Sequence, residues 1–512
     1  MNLRDTLLAA LTKLPGIRDF HLHVLVTSPR KHSSLFPFAH PRPRSYLQDI
    51  VVLLSEQTNP DTHHVFVSAI EASIYNITST SSAIFYVSKV DSTGQGIAPS
   101  PTSTLVRTLL TYYADPATRP FKADHLWVQL FARAQGQYLF PNSSEFEGKH
   151  PLSDVKLCAW WKRVYSGVAE DLERRTQSKA KIQLYYILPG STEIEAIHSL
   201  NFASGSGAAS SSSTSVSWTY GHPYSQSDIP LPCPGADASK NLGHYIPSFD
   251  DDPKSRFVDE IAYTTDADGI KSPAKKRPRT DSADAKKGDI AKNVVRGEVD
   301  GELNKVTPDE FWERMSFRQE CVAGALTGFF TMIVSSPVTR VSSQSDTSPL
   351  APQAGQVASQ MTKRIMTSLL TANEFSTIER SIRATAFLEE TIKSLCDGLK
   401  PIPEPFTIAS KKPTSLFHPT SDRPKTPEPE TGQQLAPPQT PPPRMINGKR
   451  IIPDVSPNPF PEPVTSLETY ESFIYGSVHV DNPPLAPKAR ADTGVSTPPV
   501  TVLTVRKKKK RT

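Results

Sequence analysis

Cysteine is scarce in this chain. Cys158, Cys233, Cys321 and Cys396 are the only four in 512 residues, and no two stand at the spacing of a metal clip or a redox pair. A disulfide-stapled scaffold and a cysteine-based zinc site are therefore not expected, and a reducing compartment is favoured. Long hydrophobic runs are missing as well. Nothing approaches the roughly 18 uncharged apolar residues of a membrane span, so no membrane partner is expected. The first residues carry Arg4 and Asp5 inside an amphipathic run, unlike a secretory leader. There is no P-loop, catalytic triad or cluster of metal ligands. Gly205 and Gly207 lack the setting of a dinucleotide fingerprint, and Asp250–Asp252 lack the spacing of a calcium loop. No metal is expected, nor any sequence-specific DNA binding.

What the chain has in excess is proline, 48 residues, nearly half of them beyond residue 400. With only 37% of residues hydrophobic, the core-forming material lies before that point. The expected organisation is one domain over 1–400 and a proline-rich, disordered tail over 401–512. Two flexible insertions are expected within the domain. One is Ser/Gly/Ala-rich, at about 200–220, and the other is charged, at 264–304. The net charge of +5 is concentrated in two blocks, Lys275–Arg279 and Arg506–Arg511. Two such blocks point to a nuclear address.

Along the chain, Leu3, Leu7, Leu11 and Leu14 mark a helix over 2–14. Ile50–Leu54, Val65–Ile77, Ile84–Val87, His125–Ala132 and Lys181–Leu188 read as strands. Ser88–Gly94 reads as a polar turn. Thr102–Tyr113 is a predicted helix whose hydroxyl-rich start, Pro99–Thr104, suits either capping or a phosphate. Ser153–Thr176 is the clearest helix, with Leu157, Trp161, Val164, Tyr165, Val168 and Leu172 on one buried stripe. Trp160 lies about 100° away from that stripe and needs another explanation. Capping boxes at Thr307–Glu310 and Ser376–Glu379 open two more helices, the second running to about Gly398. In the tail, Tyr470–Val480 and Val500–Val505 are islands suited to docking on a partner or on their own domain.

The stretch Phe249–Phe257 packs three aspartates, a proline, a lysine and an arginine between two phenylalanines. Taken alone, it reads as an acidic turn entering a helix at Pro253, anchored to a core by its aromatic ends.

Taken with its neighbours, it means more. Val87–Asp91, Gln137–Ser144, Lys149-His150, Trp160-Trp161, Asp251–Phe257 and Phe311-Trp312 occur in the order that resembles the fungal regulator-of-Ty-transposition histone acetyltransferases. The resemblance covers roughly residues 1–400. It implies a mixed α+β fold in which a central β-sheet is wrapped by helices, as in the CBP-type histone acetyltransferases. It also implies acetyl-CoA as co-substrate. By resemblance the cofactor meets Lys89, Val90, Asp91, Phe131, Gln135, Tyr138, His150, Pro151, Leu152 and Trp160. The phosphate loop falls near Pro99–Ser103, with Arg107 nearby as an assisting cation. Trp161, Asp251, Asp252 and Asp91 fall in the catalytic neighbourhood, and Lys254 matches an autoacetylated lysine.

The implied task is attack of a lysine amine on a thioester. The amine must be neutral, although free lysine titrates near about 10.4. Asp252 is the expected proton acceptor or relay, a role that calls for burial because an ordinary carboxylate is too weak a base. Trp161 would wall the lysine channel. The implied substrate is histone H3, at its core lysine fifty-six and in its N-terminal tail, within H3–H4. The implied partners are a NAP-type chaperone and the anti-silencing H3–H4 chaperone, in the nucleus, during nucleosome assembly. The rival expectation is a catalytically inactive chromatin adaptor on the same fold. None of the matched aspartates or tryptophans is missing, which favours the enzyme.

Overall fold

The computed structural model describes residues 2–57, 62–175, 180–203, 217–235, 240–263, 302–318, 326–336, 348–397, 445–446, 449–450 and 458–484. Both basic blocks, most of both insertions, Cys321 and Val500–Val505 lie outside them.

Among the described residues, eleven strands form one mixed sheet in the order β10-β1-β3-β4-β5-β6-β9-β7-β8, with β13 also on β1 and β2 on β3. The long central strands are β1 (Gly16–Thr27), β3 (Ser45–Gln57), β4 (Val65–Ile77), β5 (Ser82–Ser92), β6 (His125–Ala132) and β9 (Gly328–Ser335). At the margins lie β2 (Arg30–His32), β7 (Lys181–Ile187), β8 (Trp218–Tyr220), β10 (Gln356–Val357) and β13 (Tyr475–Asn482). A separate small ladder joins β11 (Met445–Ile446) to β12 (Lys449–Arg450).

Alternating side chains sort the core by face. Phe20, Leu22, Val24, Val52, Leu54, Phe85 and Val128 pack under four helices on one face. These are α1 (Leu3–Leu11), α2 (Thr102–Ala114), α3 (Asp154–Arg175) and α4 (Glu193–Ala203). The opposite face is shared by two clusters. Ile84, Tyr86 and Trp127 meet α5 (Leu242–Tyr245), α6 (Pro253–Tyr263) and α7 (Pro308–Met315). Leu25, Val51, Leu53 and Ala69 meet α8 (Ser359–Thr371), α9 (Ile378–Cys396) and the π-helical turn Tyr470–Ile474. No described helix is long and apolar enough to cross a membrane.

Several expectations are corrected. Ser88–Gly94 is not a turn at a strand end, because β5 continues to Ser92. The first insertion is narrower than 200–220: Leu200 is buried in α4 and Trp218–Tyr220 pairs with β7. Leu303, placed in the second insertion, is fully buried. At α7, Thr307 caps Glu310 N–H, but the Glu310 carboxylate turns to Arg314 at 2.6 Å and does not close the box.

The tail is not wholly extended. Tyr475–Asn482 adds to β1 as an antiparallel strand from His23 to Gly16, and Tyr470, Ile474 and Val480 are buried. Of the two alternatives for that island, the structure has it docked on its own domain, so the expected boundary at 400 does not hold for these residues.

Candidate active site

Strands β5 and β6 run parallel and are joined through α2. Their ladder begins with Ser82 opposite His125 and stops at Tyr86 opposite Gln129. Beyond that point both strands continue, but apart. Strand β5 keeps its bonds to β4 as far as Ser92, and β6 keeps its bonds to β9 as far as Ala132. A bulge between Glu71 and Ala72 marks the parting, with Ser88 Oγ donating to Glu71 O at 2.9 Å. Bulges bend strands, and this one carries β5 away from β6.

The gap is a cavity of about 570 Å³. It opens at the carboxyl ends of two parallel strands, where open sheets take their ligands. Val87–Ser92 forms one wall, Leu130–Ala132 the other, and Trp160 and Trp161 close it from α3. Ser100–Ser103, at the start of α2, lines the mouth, so the positive end of the helix borders the cavity. Ser100 Oγ accepts Thr102 N at 3.4 Å, while Pro101, at the N-cap itself, supplies no side-chain cap.

The structure divides the expected site residues in two. Lys89, Val90, Asp91, Phe131, Gln135, Tyr138, His150, Pro151, Leu152, Trp160 and Trp161 all line this cavity. His150, Pro151 and Leu152 are exposed and form its rim. Asp251, Asp252 and Lys254 do not line it. Arg107 does not line it either. Its guanidinium is held by Asp171 at 2.6 and 2.9 Å. Sequence reasoning missed Arg133, which lines the cavity directly after β6 ends, and the glycines that shape the opposite lip. The position of Arg133 at the end of a predicted strand was the available signal. At Gly94, φ is +77° and a Cβ would come within 2.6 Å of Lys149 Cα, so only glycine lets the two loops meet.

Asp91 is buried and fully engaged. One oxygen accepts the backbone N–H of Tyr138, Leu139 and Phe140 at 2.7, 2.8 and 3.1 Å. The other accepts Lys149 Nζ at 2.9 Å and Ser92 N at 2.8 Å. This carboxylate builds the loop wall and offers no free lone pair to a substrate. Tyr138 in turn donates its hydroxyl to Arg133 O. Burial, followed by the Asp91 and Asp154 carboxylates, pushes that phenol up to about 12, so it stays protonated. Lys89 pairs with Glu71 at 2.9 Å.

Asp252 stands just before α6 and Lys254 in its first turn, on the opposite face of the sheet from α3. Asp252 Oδ1 accepts Lys254 N at 2.8 Å, capping the helix that Pro253 begins. Its Oδ2 accepts Lys254 Nζ at 2.8 Å, and the side chains are 0% and 4% exposed. The Lys254 ammonium sits 4.8 Å from the Phe329 ring centre, and Phe329 faces Phe131 at 6.3 Å. The pair thus backs the cavity wall through two aromatic layers. Asp251 is exposed at φ 62°. The phenylalanine brackets do anchor the stretch: Phe249 stacks on Tyr86 at 3.9 Å and Phe257 meets Phe311 at 5.1 Å.

Cys158, Cys233 and Cys396 are buried, and burial pushes each thiol up to about 12, so none of these three offers a thiolate. Among the described residues no group of three or more acidic, histidine or cysteine side chains could hold a metal.

Residues 116–391 match the histone acetyltransferase KAT11-type domain family, more than half of the chain. The histone acetyltransferase rtt109 of Aspergillus flavus is 31% identical over 311 residues, covering 56% of this chain and 48% of that protein. The histone acetyltransferase rtt109 of Schizosaccharomyces pombe is 25% identical over 281 residues, covering 53% of this chain and 58% of that protein. The chain spans about half the length of the curated relatives it matches. The crystal structure of Rtt109 from Aspergillus fumigatus superposes with a TM-score of 0.55 at 25% identity, over 77% of this chain and 96% of that one. A helix-wrapped mixed sheet of the same fold, a family match across most of its central region and relatives that share the name point one way: this chain belongs to the KAT11-type histone acetyltransferases.

Proposed function

We propose that the chain transfers acetyl groups from acetyl-CoA to lysines of histone H3, the core lysine fifty-six and N-terminal tail lysines among them. The substrate in this reading is H3–H4 presented by a NAP-type or anti-silencing chaperone, in the nucleus, during nucleosome assembly. The observation that carries the reading is the parting of β5 from β6 with the start of α2 at its mouth. Two strand edges released from each other leave backbone donors and acceptors for the amides of a pantetheine arm. The helix start suits the pyrophosphate, and Arg133 adds a cation to the lining of the same cavity.

The reaction forms a bond from the lysine nitrogen to the acetyl carbon and breaks the carbon–sulfur bond, releasing CoA as thiol or thiolate. Trp160 and Trp161 enclose the reacting end, excluding water and holding the acyl group against the incoming amine. The amine must arrive neutral. Asp91 spends both oxygens on the loop and on Lys149, and Asp252 spends its own on α6 and Lys254. Deprotonation is therefore assigned to the solvent-open rim around His150. Asp91, Asp252 and Lys254 act as positioning residues, and acetylation of Lys254 would remove the ammonium charge and leave the Asp252 carboxylate unpaired behind the Phe131 wall.

The test is transfer from labelled acetyl-CoA to H3–H4, with and without each chaperone, read by site mapping on H3. Label on H3 lysines that rises with a chaperone supports the reading. No transfer under any condition would sink it and favour the inactive adaptor.

A further inference from the structure

An arginine in the middle of a sheet is out of place unless something holds it. Arg18, on β1, is 0% exposed, and Glu56, on β3, is 2% exposed. The guanidinium forks onto the carboxylate, Nε to Oε1 at 2.7 Å and Nη2 to Oε2 at 2.9 Å. Its remaining donors leave the sheet. Nη2 reaches Ile97 O and Nη1 reaches Pro99 O, both at 3.0 Å. Glu56 Oε2 accepts Ile97 N at 3.4 Å as well. The loop comes so close that a Cβ on Gly96 would lie 2.8 Å from Glu56 Oε2.

Those carbonyls belong to the connection between β5 and α2. Ile97, Ala98 and Ser100 line the cavity, and the α2 start follows at once. Pro99, held from behind by Arg18, is not among the lining residues. The mouth is thus clamped through its backbone by a charge pair that never touches the cavity. The planar fork suits this task, since one guanidinium can bind a carboxylate in bidentate fashion and still donate to two carbonyls. A lysine offers no such fixed geometry.

We propose that the Arg18–Glu56 pair is a positioning element for the phosphate end of the acyl donor. It fixes Ile97–Pro99, and so sets the α2 N–H groups to meet a pyrophosphate. The inference rests on the acetyl-CoA reading of the cavity.

The experiment compares two thioesters, acetyl-CoA and S-acetyl-pantetheine, which lacks the pyrophosphate and nucleotide. The variants are Arg18→Met/Glu56→Met, which removes both charges together, and Arg18→Lys, which keeps the charge and loses the fork. The wild type should prefer acetyl-CoA. In the double variant the KM for acetyl-CoA should rise about tenfold with kcat at saturation nearly kept, as expected for two lost charge-assisted bonds to the loop. The preference over S-acetyl-pantetheine should shrink by the same factor, and Arg18→Lys should fall between. A purely structural pair would instead lower kcat or binding equally for both thioesters, which overturns the inference, as does an unchanged preference in both variants. A wild type that uses neither thioester overturns the functional reading itself. If the double variant does not fold, the Arg18→Lys preference alone decides.

Discussion

The Asp252 carboxylate and the Lys254 ammonium meet at 2.8 Å in a site where both side chains are all but sealed from water. Removing one member of such a pair strands the other, at a cost of about 3–5 kcal/mol. Asp252→Asn should therefore lower the thermal midpoint markedly, and Asp252→Asn/Lys254→Gln should recover most of the loss. Turnover per folded molecule in the double variant should stay within about threefold of wild type, as befits positioning residues. A double variant that folds normally and has lost nearly all turnover would return the proton to Asp252.

Trp160 and Trp161 both line the cavity but differ in how deeply the core holds them. Trp161 is 5% exposed and belongs to the α3 stripe, so Trp161→Ala should destabilise by about 3–5 kcal/mol. Trp160 is half-buried and turned to the cavity. Trp160→Ala should cost little stability, within roughly 1 kcal/mol, and instead raise the KM for acetyl-CoA several-fold. Denaturant melts beside steady-state kinetics separate the two.

The docked tail carries a pH dependence. Tyr475 Oη meets His21 Nδ1 at 2.8 Å and Tyr470 Oη meets His23 Nε2 at 3.1 Å. Burial, then His64, lowers His21 to about 4. Burial, then His21 and His64, lowers His23 to about 3. His64 stacks on His21 at 3.7 Å, Glu389 faces His64 at 3.5 Å, and Asp19 faces both His21 and His479. Unfolded, both imidazoles titrate near about 6.5. Between that value and the folded ones the unfolded chain binds more protons, so stability is full above pH 6.5 and falls as pH drops toward 4 and 3. The urea midpoint should decline from pH 7 to pH 5, and more shallowly in His21→Gln/His23→Gln.

Where the domain ends is a matter of which residues complete the sheet. Ile474 and Val480 are buried, each worth about 1.5–3 kcal/mol, and without β13 the edge of β1 lies bare. A chain ending at residue 400 should melt well below one ending at residue 484, and should aggregate more readily. Equal midpoints for the two would show that the strand is an ornament of the fold.

Much of the frame was legible, and the reasons are local. Val65–Ile77 and His125–Ala132 have the bounds their β-branched and aromatic runs announce, and the α3 stripe is buried from Trp161 to Leu172, while Leu157 is half-buried and lines the cavity. The strand β1 escaped because Arg18, Asp19, His21 and His23 interrupt its apolar alternation, and two of those polar residues are wholly buried. Helix α4 escaped because Ile194 and Phe202 point outward, 70% and 91% exposed, blurring its stripe. The cavity residues could be named from an ordered resemblance, but the cavity itself could not. The parting of two strands after Tyr86 and Gln129 is a tertiary event, and Ser88, Lys89 and Asp91 look like a turn because that part of β5 has left β6 and lines a cavity instead of an apolar core. The Asp252–Lys254 pair shows the opposite relation. Its composition alone announced a capped acidic turn, which is what Asp252 makes, and the resemblance put Asp251 and Asp252 in the catalytic neighbourhood, although neither lines the cavity.

The claim at the centre is that acetyl-CoA lies between the parted ends of β5 and β6. Amide hydrogen exchange on the full chain, with and without acetyl-CoA, tests it most directly. The predicted result is protection of Val87–Ser92, of the α2 start at Ser100–Ser103 and of Ala132–Gln135, with α6 unchanged. Protection centred on Asp252–Phe257, with Val87–Ser92 left as in the free protein, would contradict the account.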